Sequence, residues 1–413
     1  MTVSSRPAAV VDHAGAVKVV LLLASSLTVM SGATISPSLP ALREHFIDVE
    51  RVDLMVRLVL TLPALFIALC SMAAGAVIDR FGRRRMILAA TALYAVAGSA
   101  GLYIESIGAL MASRALLGVA VAGVMTTAST LAGDYFAGPE RERFLGFQAS
   151  FMAFGGVVFL IAGGALADWH WRGPFGVYGL ALLLLPAMAI LLSEPARAGR
   201  ASPGDHASDD ATQGAAWQDT DDRAVPTGLM ALLYGLAVLH MILFYALPVQ
   251  LPFFLGELEL GGPAASGAAL ASATLVAATV SLFFRVLRRF MNHRAIFALS
   301  FGALGAGLVI LSLADAYPMV LLAMVVSGFG LGALMPNYMV ILMARAPERV
   351  RGRAVGGLTT AIFLGQFVSP LITQPLAGAL GLAGGFAATG ALSVAIGAVF
   401  VWLSLRGRSL VRG

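Results

Sequence analysis

Gly75-Ala-Val-Ile-Asp79-Arg80-Phe81-Gly82-Arg83-Arg84-Arg85 stands between two long apolar runs, 53–77 and 85–104. The contrast decides the fold. Each run holds the roughly 20 residues that cross about 30 Å of hydrocarbon at about 1.5 Å per helical residue. A backbone in lipid must bond its amides within its own segment, so such runs are expected to be helices. The basic stretch between them then marks a membrane surface. Gly82 suits a tight turn there, because glycine enters the left-handed region without steric cost. Gly75 falls one helical turn before Asp79, where a small residue permits close helix contact. Asp79 ends the second run at the surface, placed to pair with arginines or with the positive end of a neighbouring helix. An arginine-rich loop explains the charge but not this spacing of glycines and aspartate.

Working outward, the same alternation of apolar run and short polar loop fills the chain. The predicted spans are 17–41, 53–77, 85–104, 107–133, 143–167, 173–192, 226–256, 264–288, 294–313, 317–344, 352–380 and 382–405. The 413 residues are 59% hydrophobic and 12% charged, with a mean hydropathy of +0.88, far from the composition of soluble domains. A transmembrane barrel would show short alternating segments instead. The single cysteine, Cys70, lies inside the second span, which excludes an intramolecular disulfide and a cysteine metal site. The first apolar run lacks a small-residue cleavage site and reads as a retained helix.

Basic residues orient the chain, since short cytoplasmic loops retain them. With both termini cytoplasmic, all but five of the 27 fall inside; the exceptions are Arg43, Arg51, Arg57 and Arg172 outside and Arg114 within the fourth span. The sequence pI of about 9.7 then needs no nucleic-acid partner, because anionic lipid accounts for the basic loops. Residues 193–225 are polar and acidic, with Asp205, Asp209, Asp210, Asp219, Asp221 and Asp222, and read as a cytoplasmic linker. It separates a six-helix bundle over 1–192 from another over 226–413.

These halves look like copies shifted by about 210 residues. Pro37 and Pro40 answer to Pro248 and Pro252, Gly118 and Met125 to Gly328 and Met335, Pro139-Glu140-Arg141 to Pro347-Glu348-Arg349, and Arg143 and Gly146 to Arg353 and Gly356. Duplicated halves suit a carrier whose solute site lies between them near mid-membrane.

The loop quoted first resembles the signature of the major facilitator superfamily, and the likeness extends over nearly the whole chain. It implies an all-α integral membrane fold of twelve helices in two pseudo-symmetric six-helix bundles. It also implies that Asp79, with Gly75, Arg80, Gly82 and Arg83, forms a cytoplasmic latch between helices 2 and 11 that holds the outward-open state. The corresponding second-half loop, Arg288-Arg289-Phe290-Met291-Asn292-His293-Arg294, keeps the charge but lacks the glycine and aspartate. Arg114-Ala-Leu-Leu-Gly118 is similar to the family's second motif, in which the arginine takes part in proton coupling. Such a charge costs about 2.5–3.5 kcal/mol on insertion scales, so Arg114 either faces an aqueous cavity or partner, or snorkels to the outer interface.

Gly163-Gly164-Ala-Leu-Ala-Asp168, with Trp171-Arg172 and Phe175, resembles the family's helix 5 ending and helix 6 start. Exporters often carry a Gly-Pro pair four residues before that Gly-Gly; this chain has Phe159-Leu160 there, with only the earlier Gly155 matching. Helix 1, Thr28 to Pro37, offers hydroxyls where many proton-driven exporters carry an acid. His240, in the seventh span, is either a proton site or a neutral imidazole bonded to a hydroxyl. Ser31, Thr34, Thr126, Thr127, Tyr245, Gln250, Asn337, Tyr338 and Gln366 lie in helices that line the family's cavity, and each is also able to satisfy a broken backbone or a helix pair. Asp53 and Arg57, one turn apart, suit an outer gate.

The expectation is a secondary transporter of the bacterial inner membrane that exports a small organic solute in exchange for protons, with no cofactor and a monomer as the working unit. The bacterial assignment rests on compactness and on Lys18 being the only lysine. An uptake carrier of the same fold is the first alternative. A membrane-embedded enzyme or sensor is the second, disfavoured because the six histidines are scattered and no phosphate-binding glycine loop is present.

Overall fold

The computed structural model describes residues 14–194 and 227–406, so the linker expected at 193–225 lies, apart from Ser193 and Glu194, outside the described residues. The described chain is helical: α1 Ala14–Ala33, α2 Val52–Phe81, α3 Arg83–Ser99, α4 Ile107–Tyr135 and α5 Gly138–Trp169. These are followed by α6 Gly173–Leu191, α7 Thr227–Glu257, α8 Pro263–Leu282, α9 His293–Ser312 and α10 Tyr317–Arg345. The last helical stretch, Glu348–Leu405, contains an apolar segment of 56 residues. At about 1.5 Å per residue that is roughly 84 Å, far beyond one bilayer crossing. Gly381, at φ 75° and ψ 167°, breaks it into α11 (348–380) and α12 (382–405). Twelve crossings result, arranged as two six-helix bundles.

The repeat has a packing basis. In the first bundle a Cβ at Gly118 of α4 would collide with the Pro63 carbonyl of α2; in the second, a Cβ at Gly328 of α10 would collide with the Ala273 carbonyl of α8. Both members of the contact are displaced by 210 positions, so the same backbone-on-backbone approach is built twice. Without a hydrophobic force between helices in lipid, such close approach supplies much of the packing energy.

The eighth span ends earlier than its apolar run suggests. Phe283 turns the chain after Leu282, and a separate short helix, Phe284–Phe290, carries Arg285, Arg288 and Arg289. Three guanidinium groups cannot continue into hydrocarbon, so the helix bends to the surface.

Candidate functional site

The two bundles meet along α2 with α11 and α5 with α8. Between them lies a cavity of about 290 Å³ walled by α1, α2, α4, α5, α7, α8 and α11. Its wall is chiefly apolar, with Met125, Met152, Phe244 and Phe363, and its polar members include Ser31, Tyr245 and Gln366. Of the nine polar residues named from sequence, these three line the cavity. Thr34 and Thr127 are fully buried and donate to the carbonyls of Met30 and Gly123 in their own helices. Thr126 accepts, through its carbonyl, from the Thr130 hydroxyl and is not part of the wall. Asn337 pairs with His293 at 2.7 Å, tying α10 to the first turn of α9. Tyr338 is buried against Phe297 and His240.

Gln250 belongs instead to a seal at the end opposite the basic loops. Arg57 of α2, only 4% exposed, donates through Nε to Gln250 Oε1 of α7 at 2.9 Å. Its guanidinium lies 4.0 Å from the centre of the Phe253 ring. Within α2, Arg57 also donates to the Asp53 carbonyl at 2.7 Å, while Arg43 donates to the Asp53 carboxylate at 2.7 Å. The pair expected from spacing is therefore a cluster that reaches across the bundles.

Two further bonds join the bundles at this end. Pro252 has no N–H, so the Pro248 carbonyl four residues earlier loses its helical donor; the Ser36 hydroxyl of the other bundle supplies one. Asp168, at the end of α5, accepts from the Ala264 N–H at 3.1 Å. That amide is an orphan donor in the first turn of α8, and a carboxylate is favoured at a helix N-terminus. Gly164 and Gly267 allow this approach, since a Cβ on either would collide with the backbone of the other bundle.

A larger vestibule of about 500 Å³ lies outside the seal, lined in part by Arg43, Glu44, Asp53, Arg57 and Glu257. Arg57, Gln250 and Phe253 thus stand between an ionised compartment and an uncharged one. Sequence reading missed Ser36, Asp168 and Phe253 as members of the seal; the pair Pro248 and Pro252 was the available signal for the first.

At the basic end, Gly82 has φ 92°, and a Cβ there would fall 2.8 Å from Glu194 Oε1. The Glu194 carboxylate accepts from the N–H groups of Arg83 and Arg84, both at 2.8 Å, capping α3. Arg83 also donates to Asp134 at 3.1 Å. Arg80 is exposed, its guanidinium 5.6 Å from the Phe81 ring centre. Among the described residues nothing lies within 4 Å of a Cβ built on Gly75, so none of them makes the close contact expected there. The side chain of Asp79 lies outside the described residues.

Arg114 neither lines the cavity nor snorkels. It is fully buried and donates through Nη2 to the carbonyls of Ala97 and Gly98, at 2.9 and 2.6 Å. Those carbonyls belong to the last turn of α3, where a cation offsets the negative end of the helix dipole. Phe175 and Tyr178 flank the guanidinium at 5.0 and 5.2 Å. Gly98 and Gly101 leave room for those rings. His240 is likewise buried, packed against Phe301 and Tyr338, and neither ring nitrogen has a partner among the described residues. The hydroxyl bond expected as one alternative is not formed.

Two bundles enclosing a mid-membrane cavity, sealed at one end, define a multi-pass membrane transporter. The chain belongs to the Major Facilitator Superfamily, whose profile matches residues 21–370 and again 258–412. It is 31% identical over 185 residues to a puromycin resistance protein of Streptomyces alboniger, covering 44% of this chain and 36% of that one. It is 28% identical over 123 residues to the multidrug efflux pump Tap of Mycolicibacterium fortuitum, covering 30% of each. The chain thus matches about a third of the length of these curated relatives. Among solved structures it resembles a bacterial homolog of the human lysosomal transporter Spinster in an inward-facing, unoccupied conformation, with a TM-score of 0.75 at 18% identity over 98% of both chains. A D-xylose-proton symporter follows at 0.73 and 17%, over 96% and 99%.

Proposed function

We propose that this protein exports a small organic solute from the bacterial cytoplasm in exchange for protons, by alternating access between bundles 1–192 and 226–413 joined by linker 193–225. The observation that carries the reading is the cavity between the bundles, closed on one side by Arg57, Gln250 and Phe253. The basic end faces the cytoplasm, which agrees with retention of arginine on that side. The seal then lies outside and the cavity is served from the cytoplasm, the state in which an exporter loads. The names of the relatives, efflux pumps and a resistance protein, favour the outward direction. A proton crossing 100 mV supplies about 2.3 kcal/mol.

In this reading Gly75, Asp79, Arg80, Gly82 and Arg83 latch the basic end when the outer seal opens. The lack of a described neighbour within 4 Å of Gly75 supports a latch that is released here. A monomer suffices, because one chain forms the entire pathway. Uptake is the alternative, supported by the departures of Phe159-Leu160 and of helix 1 from the exporter pattern.

The test compares solutes in cells and medium by untargeted mass spectrometry for strains expressing the protein or Asp79→Asn. A compound depleted inside and enriched outside only with the intact protein is expected. The opposite distribution would turn the reading into uptake, and collapse of the difference by a protonophore checks the coupling.

A further inference from the structure

Among the described residues the wall of the central cavity holds no ionised group. The charged residues of the bordering helices whose contacts are resolved point away from it. On α1, Lys18 pairs with Glu140 of α5 at 2.6 Å, toward the basic end. Asp53 and Arg57 of α2 bond each other, Arg43 and Gln250 outside the cavity. Arg114 of α4 caps α3, and Asp134 takes Arg83. Asp168 of α5 caps α8, which carries no charged residue of its own. His240 of α7 is turned into its bundle, and Glu257 lines the vestibule. Glu348 and Arg351 of α11 pair at the basic end.

The remaining polar groups are specific. The hydroxyls of Thr28, Ser31 and Thr274 donate to carbonyls of their own helices at 2.7, 2.7 and 2.9 Å, leaving oxygen lone pairs as acceptors. The Tyr245 hydroxyl has no protein partner among the described residues, and the Gln366 amide has only Met241 Sδ at 3.8 Å. Those two supply donors free to meet a solute. Around them stand Phe244, Phe363, Met125 and Met152. Aromatic faces attract cations, but a cation entering here sheds water with no counter-charge, a loss that ring quadrupoles only partly restore.

We propose that this cavity, read as the solute site of the transporter, selects uncharged amphipathic compounds that carry carbonyl, ether or hydroxyl groups, and rejects permanent cations. With no carboxylate to pair with, a quaternary ammonium analogue is expected to bind at least about a hundredfold more weakly than its uncharged counterpart. The volume of about 290 Å³ confines the set to small molecules.

The test is affinity-selection mass spectrometry on detergent-purified full-length protein, using a library of small aromatic compounds in matched uncharged and trimethylammonium forms. Capture should be confined to uncharged members. Gln366→Glu, nearly the same size, should gain capture of the cationic partners, and Tyr245→Phe should weaken capture of carbonyl compounds by about tenfold. Size-exclusion profiles and circular dichroism verify that both variants fold. Equal capture of cations by the unaltered protein, or capture of neither class, would overturn the proposal. Proteoliposome flux of the captured compounds separates this from the transport reading. Capture without flux would sink transport and leave the selectivity standing, whereas flux of cations would do the reverse.

Discussion

Arg57→Met removes the guanidinium but keeps an apolar stem against Phe253, and the structure sets the size of the effect. Only contacts that cross between the bundles bias the conformational equilibrium: the charged hydrogen bond to Gln250 at 2.9 Å and the stacking on Phe253 at 4.0 Å. The first is worth about 1.5–3 kcal/mol and the second, when desolvated, about 2. The bonds to Asp53 stay within α2 and cancel. Rehydration of the guanidinium as the seal opens offsets part of the sum, leaving about 2–4 kcal/mol. The closed-to-open ratio at this end should then fall by roughly 30- to 1000-fold. Spin labels at Ile47 and Leu258, both exposed at this end, in a Cys70→Ser background, read the opening by pulsed electron resonance. The variant should shift the distance distribution outward. Gln250→Glu should act in the opposite sense, holding the end shut and slowing transport, because a carboxylate replaces the amide against Arg57. An unchanged distribution in Arg57→Met would refute the assignment of the seal.

Gly82→Ala combines a φ of 92° with a clash on Glu194, so it should destabilise by about 1–3 kcal/mol; Glu194→Ala, which leaves two α3 amides uncapped, should cost about 1 kcal/mol. Both are read as lower thermal unfolding midpoints in detergent. Arg114→Met leaves the Ala97 and Gly98 carbonyls without their donor but also removes two guanidinium nitrogens unpartnered among the described residues, so it should destabilise by about 1–3 kcal/mol. A well-folded Arg114→Met protein with altered proton coupling would favour the coupling role instead. His240→Phe removes two unpartnered buried nitrogens and should leave stability unchanged or raised by about 1 kcal/mol, with an unaltered pH profile of transport; a displaced profile would restore His240 as a proton site. Glu105, in the loop between α3 and α4, is held below the usual carboxylate range, first by its hydrogen bond from Arg172 at 2.7 Å. Because its folded value is depressed, its contribution is present above the ordinary glutamate range and lost as pH falls through the folded value. The unfolding difference between the wild type and Glu105→Gln should therefore vanish in strong acid.

The sequence by itself determined the number of crossings, the twofold repeat and the family. These follow from run length and residue spacing, which a bilayer translates directly into helices because lipid leaves the backbone no other way to bond. Gly118 and Gly328 were legible as a repeated pair; that each seats a carbonyl of the neighbouring helix, Pro63 and Ala273, emerged only in three dimensions. Ser31, Tyr245 and Gln366 were named with six other polar residues, and nothing in one dimension separated them. Helical rotation decides which side chain meets the cavity, and over a span that is apolar on all faces the hydrophobic pattern carries no phase. The fates of Arg114 and Gln250 turned on partners far along the chain, the end of α3 for one and Arg57 of the opposite bundle for the other. A buried charge or amide is read from what satisfies it, and only the tertiary structure brings that partner within hydrogen-bond reach.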